Sequence, residues 1–329
     1  MSVPLMRCLA GAAVVSAAAF GFAVLPVTAL AATDWPTQPV RIFVSFPPGG
    51  SSDLVARLLA EQLGTELGQQ FVVENRPGAG GTVAAEALKR EAGDGSVFML
   101  SNLAPFTIAP TQFADITYDA VADFTHVSYI GSVHMGLFVS PEMGVDTFAD
   151  FVEMVQAAPG DFDFGSSGVG SWSHVIGQNV ATMADLDMVH IPYQGSGPMR
   201  LDFRAGVISV FYDALLQNME MVEDGDAVAL AVSAPERLPG AEDIVTFVEQ
   251  GYDLVAENWL GFTAPAGLDP AIAAKLDASL AEIMKRPEVV EQFALWGLQR
   301  TPKSTEEFAD FVAEQVELWR PMVIAAGAE

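Results

Sequence analysis

The 329-residue sequence predicts an α/β fold in which parallel sheets are covered by helices on both faces. Three observations carry this prediction. Apolar strand-like stretches alternate with stretches of helical periodicity, and 51% hydrophobic residues suffice for a large core. A unit of strand, Gly/Ser loop and helix also recurs at residues 45–60, 162–180 and 189–205. Loops of this kind converge at the carboxyl ends of parallel strands, where ligands bind.

The first elements follow directly from spacing. Val40, Ile42, Val44 and Phe46 alternate as in a strand, and apolar residues at helical spacing follow up to a predicted stop at Gly64. The segment FVVENRPGAGG predicts a second strand that ends in a glycine-rich turn. The helix TVAAEALKREA and the strand VFMLSN complete this part of the chain.

The same alternation continues to the C-terminus. Further strands are predicted within YIGSVHMGLFVSP, DFDFG, MVHIP, VISVFY, AVALAV and NWLGFTAPAG. Further helices are predicted within FADFVEMVQAAPG, SWSHVIGQNVATMADL, SGPMRLDFRAG, PAIAAKLDASLAEIMKR and STEEFADFVAEQVELWRPMVIAAG.

The N-terminus has the pattern of a secretory signal peptide. A single cation, Arg7, precedes an apolar run, and a small-x-small triplet ends at Ala31. A membrane anchor is the alternative, but the run is short for a spanning helix and Pro26 interrupts it. We therefore expect residues 1–31 to be removed by cleavage near Ala31 and the mature protein to be exported. Cys8 leaves with the signal, which excludes disulfide and thiol chemistry.

The charge balance restricts the partners of the protein. The formal net charge is −27, and it becomes −28 when Arg7 is removed. Nucleic acids and anionic membrane surfaces are repelled by such a field, so we expect neither as a partner.

The Gly/Ser loops supply hydrogen-bond donors. Ser51 and Ser52 precede one predicted helix, four serines between residues 166 and 173 surround a second, and Gly195 and Ser196 precede a third. Each helix start offers unpaired backbone N–H groups and the positive end of a dipole. Ordinary capping explains one such loop, but three in one chain favour an anion-binding cleft.

Groups for catalysis are scarce. The four histidines are scattered without metal-ligand spacing, and no dinucleotide, P-loop or nucleophile-elbow motif is present. The sequence therefore predicts a protein that is not an enzyme and that binds neither a metal nor a cofactor. The alternative is a secreted α/β hydrolase or esterase that uses Ser173 or Ser167 with His174.

Several segments together resemble one family. WPTQPVRIFVSFPPGGSSDLVARLLAEQLG, FVVENRPGAGGTVAAEAL, FGSSGVGSWSHV, VHIPYQGSGP and WLGFTAPAG are similar to the solute-binding receptors of tripartite tricarboxylate transporters, the Bug family. The resemblance is collinear over essentially the whole mature chain. It implies a two-lobed periplasmic-binding-protein fold with central sheets flanked by helices. It also implies capture of a small organic carboxylate (a di- or tricarboxylate) in the cleft and delivery to integral-membrane permease subunits.

The resemblance implies a set of binding residues by position. They are Phe46, Gly50, Ser51, Ser52, Asn102, Ser166, Ser167, Gly170, Ser171, Trp172, Gly195, Ser196 and Asp213. The segment SNLAPFTIAPTQF departs from the family pattern, because Ala104, Pro105 and Phe106 replace polar residues, and Trp172 is bulkier than expected. If Phe46, Phe106 and Trp172 face the cleft, the ligand has an apolar or aromatic body.

The two-lobed fold implies a chain that crosses between lobes twice. We expect residues 32–134 and 256–329 to form lobe 1 and residues 135–255 to form lobe 2, with the receptor acting as a monomer.

Overall fold

The computed structural model describes residues 1, 34–300 and 302–327, so the predicted signal peptide lies outside the described part. The strands are β1 (Val40–Val44), β2 (Phe71–Asn75), β3 (Val97–Asn102), β4 (Phe124–Val139), β5 (Phe162–Ser166), β6 (Met188–Pro192), β7 (Val210–Ala214), β8 (Val228–Val232) and β9 (Glu257–Pro265). The helices are α1 (Ser51–Leu67), α2 (Thr82–Lys89), α3 (Ala109–Gln112), α4 (Phe148–Ala157), α5 (Trp172–Met183), α6 (Ser196–Arg204), α7 (Met219–Glu223), α8 (Pro270–Ile283), α9 (Pro287–Leu295) and α10 (Thr305–Ala325). A single π-helical turn, Ala104–Ile108, follows β3.

The sheet is mixed rather than parallel throughout. Its order is β2-β1-β3-β9-β4-β7-β5-β6, and β8 pairs with β4 beside this path. Strand β1 pairs in parallel with β2 and β3, and β5 pairs in parallel with β6 and β7. Strands β4 and β9 pair only antiparallel with their neighbours. The all-parallel prediction is therefore wrong for β4 and β9, and also for β8, which pairs antiparallel with β4. Strand β9 comes late in the chain and inserts between β3 and β4.

Strand β4 belongs to two sheets at once. Its first part, up to His134, pairs with β9, and its last part, from Met135, pairs with β7 and β8. One continuous strand thus connects the sheet that contains β1, β2, β3 and β9 to the sheet that contains β5, β6, β7 and β8.

Helix α1 is longer than predicted. The stop expected at Gly64 is wrong, since the helix continues to Leu67 and ends at Gly68, whose φ of 71° is left-handed. Gly64 stays helical, and its carbonyl oxygen accepts the Gly68 N–H at 3.1 Å. A left-handed C-cap therefore ends the helix, as glycine readily allows. Helix α9, which starts at a proline, had not been predicted.

The core contains one aromatic side chain that the sequence had assigned to the cleft. Phe106 is fully buried in the π-helical turn and packs edge-on against Phe124, with ring centroids 5.0 Å apart. It also contacts His126 and Trp259. The expectation that Phe106 faces the cleft is wrong, because the turn directs this ring into the core.

In the described part of the chain, no helix is both long enough and apolar enough to span a membrane. The described residues also bring together no group of three or more His, Cys, Asp or Glu side chains suited to a metal ion.

Candidate ligand-binding cavity

A cavity of about 620 Å³, mouth included, lies where strand ends and helix starts converge. Ten of the residues predicted to bind ligand line it. They are Phe46, Gly50, Ser51, Ser52, Asn102, Ser167, Trp172, Gly195, Ser196 and Asp213. The cavity is therefore built by the loop after β1, the end of β3, the end of β7 and the starts of α1, α5 and α6.

The start of α1 presents free backbone donors to this cavity. Its N-cap is Gly50 in an extended conformation, and no described side chain caps the first turn. The loop before it is fixed by Asn75, whose Nδ2 donates to the Phe46 carbonyl oxygen and to Asp53 Oδ1, each at 2.9 Å. The unpaired N–H groups of the first turn are therefore held in place, available to an anion.

Asp53 is part of this support and not part of the cavity. Its Oδ2 accepts from the Gly49 N–H and from Arg57 Nε, both at 3.0 Å. Burial opposes ionisation of Asp53, but hydrogen bonds from Arg57, Asn75 and Gly49 outweigh it and lower the pKa of the carboxyl below its usual value. The ionised side chain stabilises both the loop and the N-terminus of α1.

The start of α6 repeats this arrangement on the other side. Its N-cap is Gly195 with a φ of 110°, and the described residues again offer no side-chain cap. The Gly195 N–H donates to the Ser167 carbonyl oxygen at 3.2 Å, which joins two of the lining loops. Ser196 Oγ donates to Asp213 Oδ1 at 3.1 Å. The cavity thus lies between two glycine-capped helix starts.

The start of α5 differs, and three predicted residues there do not line the cavity. Ser171 caps its own helix by accepting the His174 N–H, and the fully buried Ser166 places its Oγ 2.7 Å from His190 Nε2. Gly170, with a φ of 73°, packs so closely against Gln112 that a Cβ would overlap that side chain. Ser166, Gly170 and Ser171 therefore support the loop and do not line the cavity, and contact with a ligand stays a prediction for them.

The side chains of the alternative hydrolase do not form a catalytic pair. His174 Nδ1 accepts from the Gly170 N–H at 3.3 Å, and Ser173 Oγ lies 3.0 Å from Ser167 Oγ. No hydrogen bond joins His174 to either serine within the described residues. His174 instead stacks on His190 with ring centroids 4.2 Å apart. Burial lowers the pKa of both imidazoles, that of His190 to about 4 with a further contribution from His174.

No lysine, arginine or histidine lines the cavity among the residues that the structure describes. Asp213 carries the only charge among the described residues that line it. The cation beside it is Arg200, whose Nη1 lies 3.9 Å from Asp213 Oδ2 outside the lining. Arg76 lies over the Phe43 ring, 3.8 Å from its centroid, and also bonds Glu74. An anion in this cavity would be held by helix starts and neutral donors.

Sequence reasoning missed several lining residues. They are Pro47, Pro48, Ala104, Gln194, Gly197, Pro198 and Asn258. Most belong to the quoted loops and could have been included as neighbours of predicted residues. Asn258 lies at the start of β9, and its Oδ1 accepts the Leu103 N–H at 3.4 Å. No local signal distinguishes it, because β9 reaches the cavity only through its pairing with β3 and β4.

Two sheets share one strand, and a cavity lined by backbone hydrogen-bond donors lies at the strand ends. This arrangement is the fold of a periplasmic solute-binding protein. Solved structures agree in fold. Rpa4515 of R. palustris with adipate has a TM-score of 0.85 at 28% identity, over 89% of this chain and 99% of that one. MatC (Rpa3494) from Rhodopseudomonas palustris with bound malate has a TM-score of 0.83 at 26% identity, over 88% of this chain and 100% of that one.

Sequence comparison identifies the family. The model for the tripartite tricarboxylate transporter family receptor matches residues 55–328. Protein BugT of Bordetella pertussis is 32% identical over 304 residues, which is 91% of this chain and 93% of that protein. The chain belongs to the tripartite tricarboxylate transporter receptor family and is a solute-binding receptor of the Bug type.

Proposed function

We propose that this receptor captures a small organic carboxylate in the cavity and delivers it to the membrane permease subunits of a tripartite tricarboxylate transporter. One observation carries the proposal: two glycine-capped helix starts, those of α1 and α6, face a cavity without a lysine or arginine. Backbone N–H groups and hydroxyls that converge in this way suit a carboxylate, which accepts several hydrogen bonds at once.

The relatives support this ligand class. One solved relative holds adipate and another holds malate, and both are dicarboxylates. The proposed ligand is accordingly a di- or tricarboxylate. The proposed ligand can have an apolar or aromatic body, because Phe46 and Trp172 line the cavity.

Capture is proposed to proceed by closure of two lobes, residues 32–134 with 256–329 and residues 135–255. Contacts that cross this division are consistent with it: Ser51 Oγ donates to Gln217 Oε1 at 2.8 Å, and Arg200 Nη2 lies 3.5 Å from the Gly49 carbonyl oxygen. The protein in this proposal is a periplasmic monomer, exported with a signal peptide cleaved near Ala31, and it performs no chemistry on its ligand.

The proposal is tested by thermal shift and calorimetric titration with a panel of aliphatic and aromatic di- and tricarboxylates. A carboxylate at 100 times its dissociation constant should stabilise the protein by about 2.7 kcal/mol. Small-angle scattering with that carboxylate should show a smaller radius of gyration. Absence of binding across the panel would contradict the proposal. Turnover of an activated ester that is lost in Ser173→Ala would favour the hydrolase instead.

A further inference from the structure

One side-chain hydrogen bond at the edge of the cavity joins distant parts of the chain. Ser51 Oγ donates to Gln217 Oε1 at 2.8 Å, across 166 residues of sequence. Ser51 lines the cavity at the start of α1, whereas Gln217 lines a neighbouring groove between α6 and α7. The proposed lobes contain one partner each, so this bond crosses the division between them.

Each partner is held by its own side of the division. Gln217 lies in a 3₁₀ turn directly after β7, and this turn is fixed by the buried Asn218, whose Nδ2 donates to the Ala214 carbonyl oxygen at 2.8 Å. Ser51 follows the loop that Asn75 fixes through the Phe46 carbonyl oxygen. Because both ends are fixed locally, the separation of the two side chains depends on how far the lobes are closed.

A second contact across the division has a different character. Helix α10 packs against α5, and the buried Asn179 of α5 donates from Nδ2 to the Met322 carbonyl oxygen of α10 at 2.9 Å. Ser51 and Gln217 are instead half-buried side chains joined by one neutral hydrogen bond. Such a bond stabilises only modestly, so it can break and form again when the lobes move.

We propose that the hydrogen bond from Ser51 to Gln217 is a latch, which forms when the lobes close and sets how long a carboxylate stays bound. The inference rests on the proposed function and describes the regulation of that same site. Gln217 is a positioning residue that acts through Ser51. Because the latch exists only in the closed form, it slows the release of the carboxylate and leaves its entry unaffected.

The test measures entry and release separately. Stopped-flow tryptophan fluorescence follows the binding of the carboxylate identified by the titration panel, with Trp172 in the cavity lining as a reporter. Gln217→Met removes the acceptor and keeps the length of the side chain. We expect its dissociation rate constant to rise about three- to tenfold and its association rate constant to change by less than about twofold.

A double-mutant cycle shows whether Gln217 acts through Ser51. Ser51→Ala already lacks the hydroxyl, so adding Gln217→Met to it should not accelerate dissociation further. This comparison holds even if Ser51 also contacts the carboxylate, because both members of the pair then lack that contact. The same acceleration by Gln217→Met in the wild type and in Ser51→Ala would overturn the latch.

Leu201→Ala is the matched control, because Leu201 is exposed on α6 and lines the same groove as Gln217. It should leave both rate constants unchanged. Dissociation that is as fast in Leu201→Ala as in Gln217→Met would mean that any change in the groove has this effect, and would overturn the proposal. Circular dichroism checks the fold of each variant, and Gln217→Ala removes the same acceptor if Gln217→Met does not fold.

The outcomes separate the latch from the function on which it rests. An unchanged dissociation rate constant in Gln217→Met would overturn the latch and leave carboxylate binding intact. Weaker binding that comes only from slower association would also overturn it, because a latch cannot act before closure. If no acid of the panel binds to the wild type, the proposed function fails and the latch fails with it.

Discussion

The starts of α1 and α5 look alike in sequence and differ in the structure. Each follows a strand and a loop rich in glycine and serine. Helix α1 begins after Gly50, which provides no side-chain cap, whereas α5 begins after Ser171, which accepts the His174 N–H. The first start lines the cavity with three consecutive residues, Gly50–Ser52, and the second reaches it only through Trp172.

The difference shows what the N-cap residue decides. A serine cap occupies an N–H group of its own helix, so that helix start is partly satisfied internally. A glycine cap leaves those groups free and lets a ligand approach the backbone closely. Helix α6 supports this distinction, because it is capped by Gly195 and also lines the cavity.

The largest contrast is expected between alanine substitutions of the two loop glycines. Gly170 has a left-handed φ of 73°, which an alanine adopts only with strain, and the new Cβ would also displace the amide end of Gln112, so we expect Gly170→Ala to lose about 1–3 kcal/mol in the free energy of unfolding. Gly50 has a φ of −88° and nothing within 4 Å of an added Cβ, so Gly50→Ala should cost less than about 1 kcal/mol. Urea unfolding measures both. Equal losses of unfolding free energy in Gly170→Ala and Gly50→Ala would mean that the two loops do not differ in packing.

The next effect is on affinity. Ser51→Pro removes one backbone donor at a position where helices accept proline, and the extended Gly50, with a ψ of 171°, suits a following proline. We expect the carboxylate identified by the titration panel to bind about ten- to a hundredfold more weakly with the melting temperature nearly unchanged, since a hydrogen bond to a charged group is worth roughly 1.5–3 kcal/mol. Ser51→Ala keeps the N–H and is the control. Unaltered affinity in Ser51→Pro would exclude this N–H as a ligand donor.

A smaller, reciprocal effect is expected from the serines themselves. Ser171→Ala removes a helix cap, so it should lower the free energy of unfolding by about 1 kcal/mol and leave the affinity for the carboxylate identified by the panel unchanged. Ser51→Ala should act mainly on affinity, with a few-fold weaker binding and at most about 1 kcal/mol lost in the free energy of unfolding, because Ser51 lines the cavity, donates its hydroxyl to Gln217 and caps nothing. Chemical unfolding measures the stability of both variants, and calorimetric titration measures their affinity for the ligand. A loss of affinity in Ser171→Ala would contradict the assignment of Ser171 to support.

The smallest effect concerns salt. Helix starts and neutral donors act at contact distance, whereas repulsion of an anion by a surface with net charge −27 is long-range and screened. Affinity for the carboxylate identified by the panel should therefore hold or rise slightly from low to high ionic strength. Titration in a salt series measures this, and a steep fall would indicate that a cation such as Arg200 reaches the ligand.

Local patterns allowed much of the fold and most of the cavity to be predicted. The alternation of apolar residues predicted β1, and the glycine-rich loops indicated where helix starts would converge. Patterns could not show that β9 inserts between β3 and β4, since pairing over such separation leaves no local trace. They also could not distinguish Ser171, which caps a helix, from Ser51, which lines the cavity. Phe106 was misplaced because a π-helical turn changes which side chains face inward.

The pairing of β9 also constrains how the protein can be made. Met99 of β3 pairs with Thr263, and Thr125 of β4 pairs with Ala264, so both earlier strands keep an open edge until the chain has been synthesised as far as β9, which ends at Pro265. Exposed strand edges invite association with other chains. The central sheet therefore cannot close before β9 has been made. Until then, two strand edges near the middle of the final sheet remain open to pairing with other chains.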